Sequence, residues 1–223
     1  MPQRAMVNPG PLSSNGGGEW KRMEAHPRVA RIKNFIADAT AFILEKARKA
    51  MAERNEFRIA LSGGNTPAPF YARIAAEAHD FPWDRVRFTF GDERCVPPND
   101  PQSAAQEYEN QLDAIATERD EPIYQHDLIL LGVGDDGHTA SLFPGTAALE
   151  EMTRRVVANF VPKLNAWRLT FTFPLINHAR HILFLVGASK SPRLIERVLA
   201  GDQQFPAARV NPSAGEVTWM IGE

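Results

Sequence analysis

A histidine set among glycines and carboxylates, just past an apolar run, is equipped for general base work near neutral pH. His138 has that setting in Gly132-Val133-Gly134-Asp135-Asp136-Gly137-His138-Thr139-Ala140-Ser141-Leu142-Phe143-Pro144. A lone histidine is more often structural, and here the neighbours tip the balance toward chemistry. Two other loops have complementary chemistry. Ser62-Gly63-Gly64-Asn65-Thr66-Pro67 opens a helical stretch. Glycines let backbone approach a ligand, and a helix N-terminus offers unpaired N–H groups, so the loop suits an anion, most naturally phosphate. It is not a P-loop, because no Gly-Lys-Ser/Thr follows, and on the motif alone an ordinary strand-to-helix turn explains it equally well. In Gly91-Asp92-Glu93-Arg94-Cys95-Val96-Pro97-Pro98, Arg94 has the planar fork that grips phosphate. Asp92 and Glu93 either position that arginine or serve as acid or base, and the plainer alternative is a solvated charge cluster. Lys190 in Gly187-Ala188-Ser189-Lys190-Ser191-Pro192 offers a second cation, although alone it reads as an exposed lysine. Cys95 lacks the sequence signature of a cysteine enzyme and reads as passive. Gly132-x-Gly134 resembles part of a dinucleotide fingerprint, but the third glycine is misplaced, which argues against a nucleotide cofactor site.

The elements that must position these loops follow from periodicity. Apolar residues from Pro27 to Arg54 (Val29, Ile32, Phe35, Ile36, Ala39, Phe42, Ile43, Ala47, Met51) recur at helical spacing and predict one amphipathic helix. Phe57–Leu61, Val86–Phe90 and Asp127–Leu131 read as buried strands, each running into one of the three polar loops. A helix is predicted through Tyr71 and Ile74, and another over Ala104–Arg119. A third spans Pro192–Leu199, with Ser191 as cap, Pro192 in the first turn and Gly201 beyond the end. Further strands are predicted at Arg155–Phe160, Leu169–Phe173, Ile182–Val186 and Val217–Ile221. Strand, polar loop and helix in repeated order predict an α/β fold, Rossmann-like, with a mostly parallel sheet and helices on both faces. Such sheets bind ligands outside the carboxyl ends of their strands, so the three loops should meet at one crevice.

A 223-residue chain with 43% hydrophobic residues is long enough for one sizeable α/β core. Residues 1–20, with Gly16-Gly17-Gly18 and three prolines, read as a flexible tail, leaving 21–223 as a single domain. A net charge of −2 argues against nucleic acid as partner. One cysteine excludes an intrachain disulfide and fits a reducing compartment. With no membrane-length apolar run and no signal-peptide core, the expected location is the cytoplasm.

As an ordered set, these motifs resemble the 6-phosphogluconolactonase family. The resemblance rests on Leu61–Pro67, Gly91–Pro98, Leu131–Gly145, Val161-Pro162-Lys163, Arg168-Leu169-Thr170, Pro174–Asn177, Ala179-Arg180, Lys190, Pro206-Ala207 and Gly215–Trp219. It implies a fold shared with glucosamine-6-phosphate deaminases and isomerases. It implies hydrolysis of 6-phospho-D-glucono-1,5-lactone to 6-phosphogluconate, a step of the oxidative pentose phosphate pathway, by a carboxylic-ester hydrolase. On the same terms His138 is the base, with Asp136 or Asp92 orienting it. Gly63, Gly64, Asn65, Thr66, Arg94 and Lys190 hold the phosphate, and no cofactor or metal is required. The deaminases place a glutamate shortly after their histidine, where this chain has Phe143, and a tyrosine in place of Arg94. Both differences favour the lactonase.

The chain departs from the family pattern at one junction. Pro101-Gln102-Ser103 runs straight into Ala104-Ala105-Gln106-Glu107-Tyr108-Glu109, where the family inserts a helix, a loop and a short strand. A sheet without that strand is expected to expose an edge or an apolar patch, and the protein is expected to be a monomer or weak homo-oligomer. Three functional readings follow: the lactonase, a deaminase or isomerase on the same fold, and a non-catalytic sugar-phosphate binding module.

Overall fold

The computed structural model describes residues 27–94 and 100–223. The expected tail at 1–20, Cys95 and the Val96-Pro97-Pro98 segment lie outside the described residues. The chain runs β1 (Arg28–Ile32), α1 (Phe35–Arg54), β2 (Phe57–Leu61), α2 (Ala68–Glu77), β3 (Val86–Phe90) and β4 (Asp92–Glu93). It continues through α3 (Pro101–Glu118), β5 (Leu128–Leu131), β6 (Val156–Val161), β7 (Ala166–Phe171), α4 (Phe173–Ile176), β8 (His181–Val186), α5 (Pro192–Leu199) and β9 (Glu216–Gly222).

Six strands form one parallel sheet in the order β1-β9-β8-β5-β2-β3. The central strands read as unbroken apolar runs because both faces are covered. On one face Ile43, Ala47, Phe70 and Ile74 of α1 and α2 pack with Ile59, Leu128, Leu130 and Leu183. On the other, Leu112 and Ala116 of α3 and Ile195 and Val198 of α5 pack with Ala60, Ile129, Leu131 and Phe184.

The predicted helix over Pro27–Arg54 needs correction. Its first part is β1, paired in parallel with β9 from Arg28 opposite Thr218 to Ile32 opposite Gly222. The helix starts only at Phe35. Val29 and Ile32 fall in phase with the helical stripe, but pairing with a distant strand decides their conformation, and Val29 remains exposed. Two later strands also differ in placement. β6 and β7 form an antiparallel hairpin that joins β4 in a separate three-stranded sheet. That sheet stands beside the carboxyl ends of β2, β3 and β5 and supplies a wall of the crevice.

At the junction, α3 starts at Pro101, and the Asp100 side chain caps it by accepting from the Ser103 N–H at 3.0 Å. β3 is the outermost strand on its side of the sheet. The Tyr108 hydroxyl partly closes that edge. It accepts from the Phe90 N–H and donates to the Phe90 carbonyl, both at 2.8 Å. Tyr71 does the same for Ser62 after β2, at 3.0 and 2.9 Å. Burial pushes both phenols up to about 12, so each remains a hydroxyl that can donate and accept.

Candidate active site

The three polar loops meet at the carboxyl end of the sheet, around a cavity of about 450 Å³. That volume falls in the usual range for small-ligand sites. Eight of the nine residues singled out from sequence line it: Gly63, Gly64, Asn65, Thr66, Asp92, Arg94, His138 and Lys190. The ninth, Asp136, stands behind His138.

The loop after β5 is folded tightly enough to hold the imidazole. The Gly134 N–H donates to the His138 carbonyl at 2.8 Å, and the Gly137 N–H to the Gly134 carbonyl at 2.9 Å. Gly137 has φ +74°, and a Cβ there would fall 2.4 Å from the Phe205 ring, so two constraints require glycine. Phe143 stacks on the imidazole with centroids 3.9 Å apart and planes 22° apart.

The electrostatics assign the histidine tautomer. His138 Nδ1 lies 2.5 Å from Asp136 Oδ1, and Lys163 Nζ donates to Asp136 Oδ2 at 2.7 Å. Burial opposes ionisation of Asp136, but the hydrogen bonds from Lys163 and His138 outweigh it and pull the carboxyl down to about 2. An ionised carboxylate only accepts, so Nδ1 carries the proton and Nε2 is the ring's acceptor. Between the two candidate orienters, it is Asp136 that contacts the ring. Asp92 instead accepts from the Ser141 hydroxyl at 2.8 Å. The Ser141 N–H donates to Thr170 Oγ1, and the Ser141 carbonyl accepts from Asn159 Nδ2. Asp92 thus ties the histidine loop to the small sheet.

The opposite wall is suited to an anion. Among the described residues, the backbone N–H groups of Gly63, Gly64, Asn65 and Thr66 make no hydrogen bond. Around the rim stand Arg94, Lys163, Arg168 and Lys190, against Asp92 and Asp135. With Asp136, which Lys163 already contacts, four cations facing three carboxylates leave the rim net positive. Lys190 Nζ donates to Asp135 Oδ1 at 2.7 Å, which holds that exposed carboxyl below its ordinary range.

Lys163 and Arg168 also line the cavity; they belong to motifs that carry the resemblance, but the sequence assigns no site role to either. They flank the β6–β7 turn, where Asn165 takes φ 47°. A cation on each side of a tight hairpin looks like any solvated turn, and only the placement of the small sheet brings both to the cavity.

Comparison with known proteins agrees with this architecture. The family described as glucosamine-6-phosphate isomerases/6-phosphogluconolactonase matches residues 30–112 and 99–219, two stretches that overlap over 99–112. The chain is 39% identical to a 6-phosphogluconolactonase of Synechocystis sp., over 85% of this chain and 91% of that one. It is 34% identical to the 6-phosphogluconolactonase of Nostoc sp., over 84% and 90%. The solved 6-phosphogluconolactonase from Trypanosoma cruzi superposes with a TM-score of 0.75 at 26% identity, covering 90% of this chain and 96% of that one. The chain belongs to the glucosamine-6-phosphate isomerase/6-phosphogluconolactonase family.

Proposed function

We propose that the chain hydrolyses 6-phospho-D-glucono-1,5-lactone to 6-phosphogluconate, as in the oxidative pentose phosphate pathway, with His138 as general base. The observation that carries this reading is the Asp136–His138 pair facing a cavity whose other wall is a cationic rim and a row of free N–H groups. Arg94, Lys190 and the Gly63–Thr66 loop bind the phosphate, and Arg168 adds positive charge beside them. With the phosphate anchored, the lactone carbonyl lies against the imidazole.

His138 Nε2 takes a proton from water as the water oxygen bonds to the lactone carbon. The tetrahedral intermediate then expels the ring oxygen, which receives that proton from the imidazolium as the C–O bond breaks. Asp136 holds the tautomer and stabilises the transient imidazolium, and Lys163 keeps Asp136 ionised. Asp92 acts as a positioning residue through Ser141. General base catalysis typically contributes about 10²–10⁴-fold. For a lactone that already hydrolyses unaided, this suffices without a covalent nucleophile.

The deaminase reading needs a carboxylate where Phe143 stacks on the imidazole, and that ring counts against it. The deciding measurement is lactone hydrolysis against its spontaneous background, for the chain and for His138→Ala. Turnover that falls by at least about 10²-fold in a folded variant still binding product supports the proposal. A folded His138→Ala with near-normal turnover refutes the base. Stabilisation by 6-phosphogluconate without turnover in the unaltered chain would mark a binding module.

A further inference from the structure

The edge of the main sheet at β3 carries chemistry that the active site does not use. Parallel pairing with β2 places Val86, Phe88 and Phe90 in register with Phe57, Ile59 and Leu61, on the face that α1 and α2 cover elsewhere. Over β3 the cover is incomplete. Phe88 is 51% exposed, Phe90 49% and Trp83 36%. Phe81, Trp83 and Phe88 form an aromatic row, with centroids 4.9 and 6.2 Å apart. Beside the row opens an apolar hollow of about 430 Å³ between α1, α2 and the strands. The exposed rings thus form one contiguous apolar patch beside a strand edge, and an open edge is a template for pairing with another chain.

The backbone narrows the choice of partner. Tyr108 occupies both edge groups of Phe90, and the Val86 N–H is bonded to the Trp83 carbonyl. Among the described residues, Phe88 is therefore the position on this edge whose two backbone groups are both open to a new strand. A two-fold axis through Phe88 lets two copies exchange one N–H···O pair each way, the arrangement of an antiparallel hydrogen-bonded pair. In that register Phe88 faces Phe88, Phe90 faces Val86, and Arg87 faces Thr89. No charge meets a like charge, which directly opposed strands require. The two hollows then adjoin across the axis.

We propose that β3 and its hollow form the interface of a homodimer, with an antiparallel β-bridge centred on Phe88. An aromatic side chain presents about 150–250 Å². The exposed parts of Phe88, Phe90 and Trp83 thus offer roughly 300 Å² per copy, or roughly 600 Å² per pair, against about 1,200–2,000 Å² for a stable complex. The dimer is weak and depends on concentration.

Sedimentation velocity over a concentration series tests the proposal. The unaltered chain is expected to shift from monomer toward dimer as concentration rises. Phe88→Glu and Phe88→Lys each place like charges across the axis and are expected to sediment as monomers. Their equimolar mixture should dimerise again, because the axis then pairs opposite charges. Lactone turnover should be unchanged in both, since Phe88 lies outside the site. Phe88→Thr, which suits an edge strand, tests the case in which a charged variant fails to fold, and it should weaken association about tenfold or more. A chain that stays monomeric throughout, a dimer that persists in the charged variants, or a mixture that remains monomeric overturns the proposal.

Discussion

Gly134→Ala is the most searching single-atom perturbation of the loop that holds His138. A Cβ on Gly134 would fall 2.0 Å from His138 Cε1 and 2.1 Å from Nδ1. Carbon atoms in good contact lie about 3.5–4.0 Å apart, so the ring must retreat by roughly 1.5 Å. It cannot do so freely, because Asp136 holds Nδ1 at 2.5 Å and Phe143 is stacked on the ring. Retreat gives up one of these contacts. A hydrogen bond to a charged group contributes about 1.5–3 kcal/mol, and a misplacement of about 1 Å at a reacting centre costs about 10²-fold. Both estimates point to a fall in kcat of about 100-fold. KM should stay within about threefold, since the residues proposed to hold the phosphate are untouched. Gly134 does not occupy the left-handed region, so alanine brings no backbone penalty there, and the variant should fold but lose about 1.5–3 kcal/mol of stability with the contact that the ring gives up. The assay is background-corrected lactone hydrolysis with a parallel melting curve. A folded Gly134→Ala variant with kcat within about threefold of the unaltered chain would show that the close packing of this ring is irrelevant to turnover.

Three further perturbations separate the roles assigned in the site. Asp136→Asn keeps the shape but permits the wrong tautomer, and kcat is expected to fall by up to about 10⁴-fold, as in other carboxylate-oriented histidines; a loss below about tenfold in steady-state assays would contradict the orienting role. Arg94→Lys removes the planar fork and should raise KM about tenfold or more while lowering kcat less. Loss of kcat alone, or equal use of non-phosphorylated gluconolactone, would sink the phosphate assignment. His126 is fully buried against Thr89 Oγ1 at 2.8 Å, and burial lowers its pKa to about 3. The unfolded chain takes up this proton below about 6.5, so the contribution is complete above that pH and is lost as pH falls toward about 3. Urea unfolding at pH 7.5 and pH 5 should show a decline of about 2 kcal/mol from this group, and His126→Leu should remove it; an unchanged pH slope in that variant would refute the account.

Much of the architecture was legible because it is written locally. The buried strands β5 and β8 contain continuous apolar runs, Leu128–Leu131 and Ile182–Val186, as parallel strands covered on both faces must. α5 carries its own start signal, with the Ser191 hydroxyl accepting from the Leu194 N–H at 3.5 Å. β1 was not legible, since its conformation depends on β9, nearly the whole described chain away. Nor was the departure of β6 and β7 into a second sheet, because the same strand pattern fits either partner. The site divides along the same line. His138 and the Gly63–Thr66 loop are recognisable from neighbouring residues. The choice of Asp136 over Asp92 depends on how one loop turns back on itself, and Lys163 and Arg168 depend on a hairpin being set against the cavity.

The insertion of β9 between β8 and β1 also governs how the chain is made. β9 is the only strand that pairs with β1 among the described residues, so β1 leaves the ribosome before every other described element and must wait until β9 has followed them all. Until then the outer edge of β8 and all of β1 lack their partner, with α1 already synthesised. Contacts of such high sequence separation slow folding and prolong the exposure of unpaired strands. Loss of the Glu216–Gly222 stretch would therefore release both ends of the described chain at once, unzipping β1 as well as removing β9.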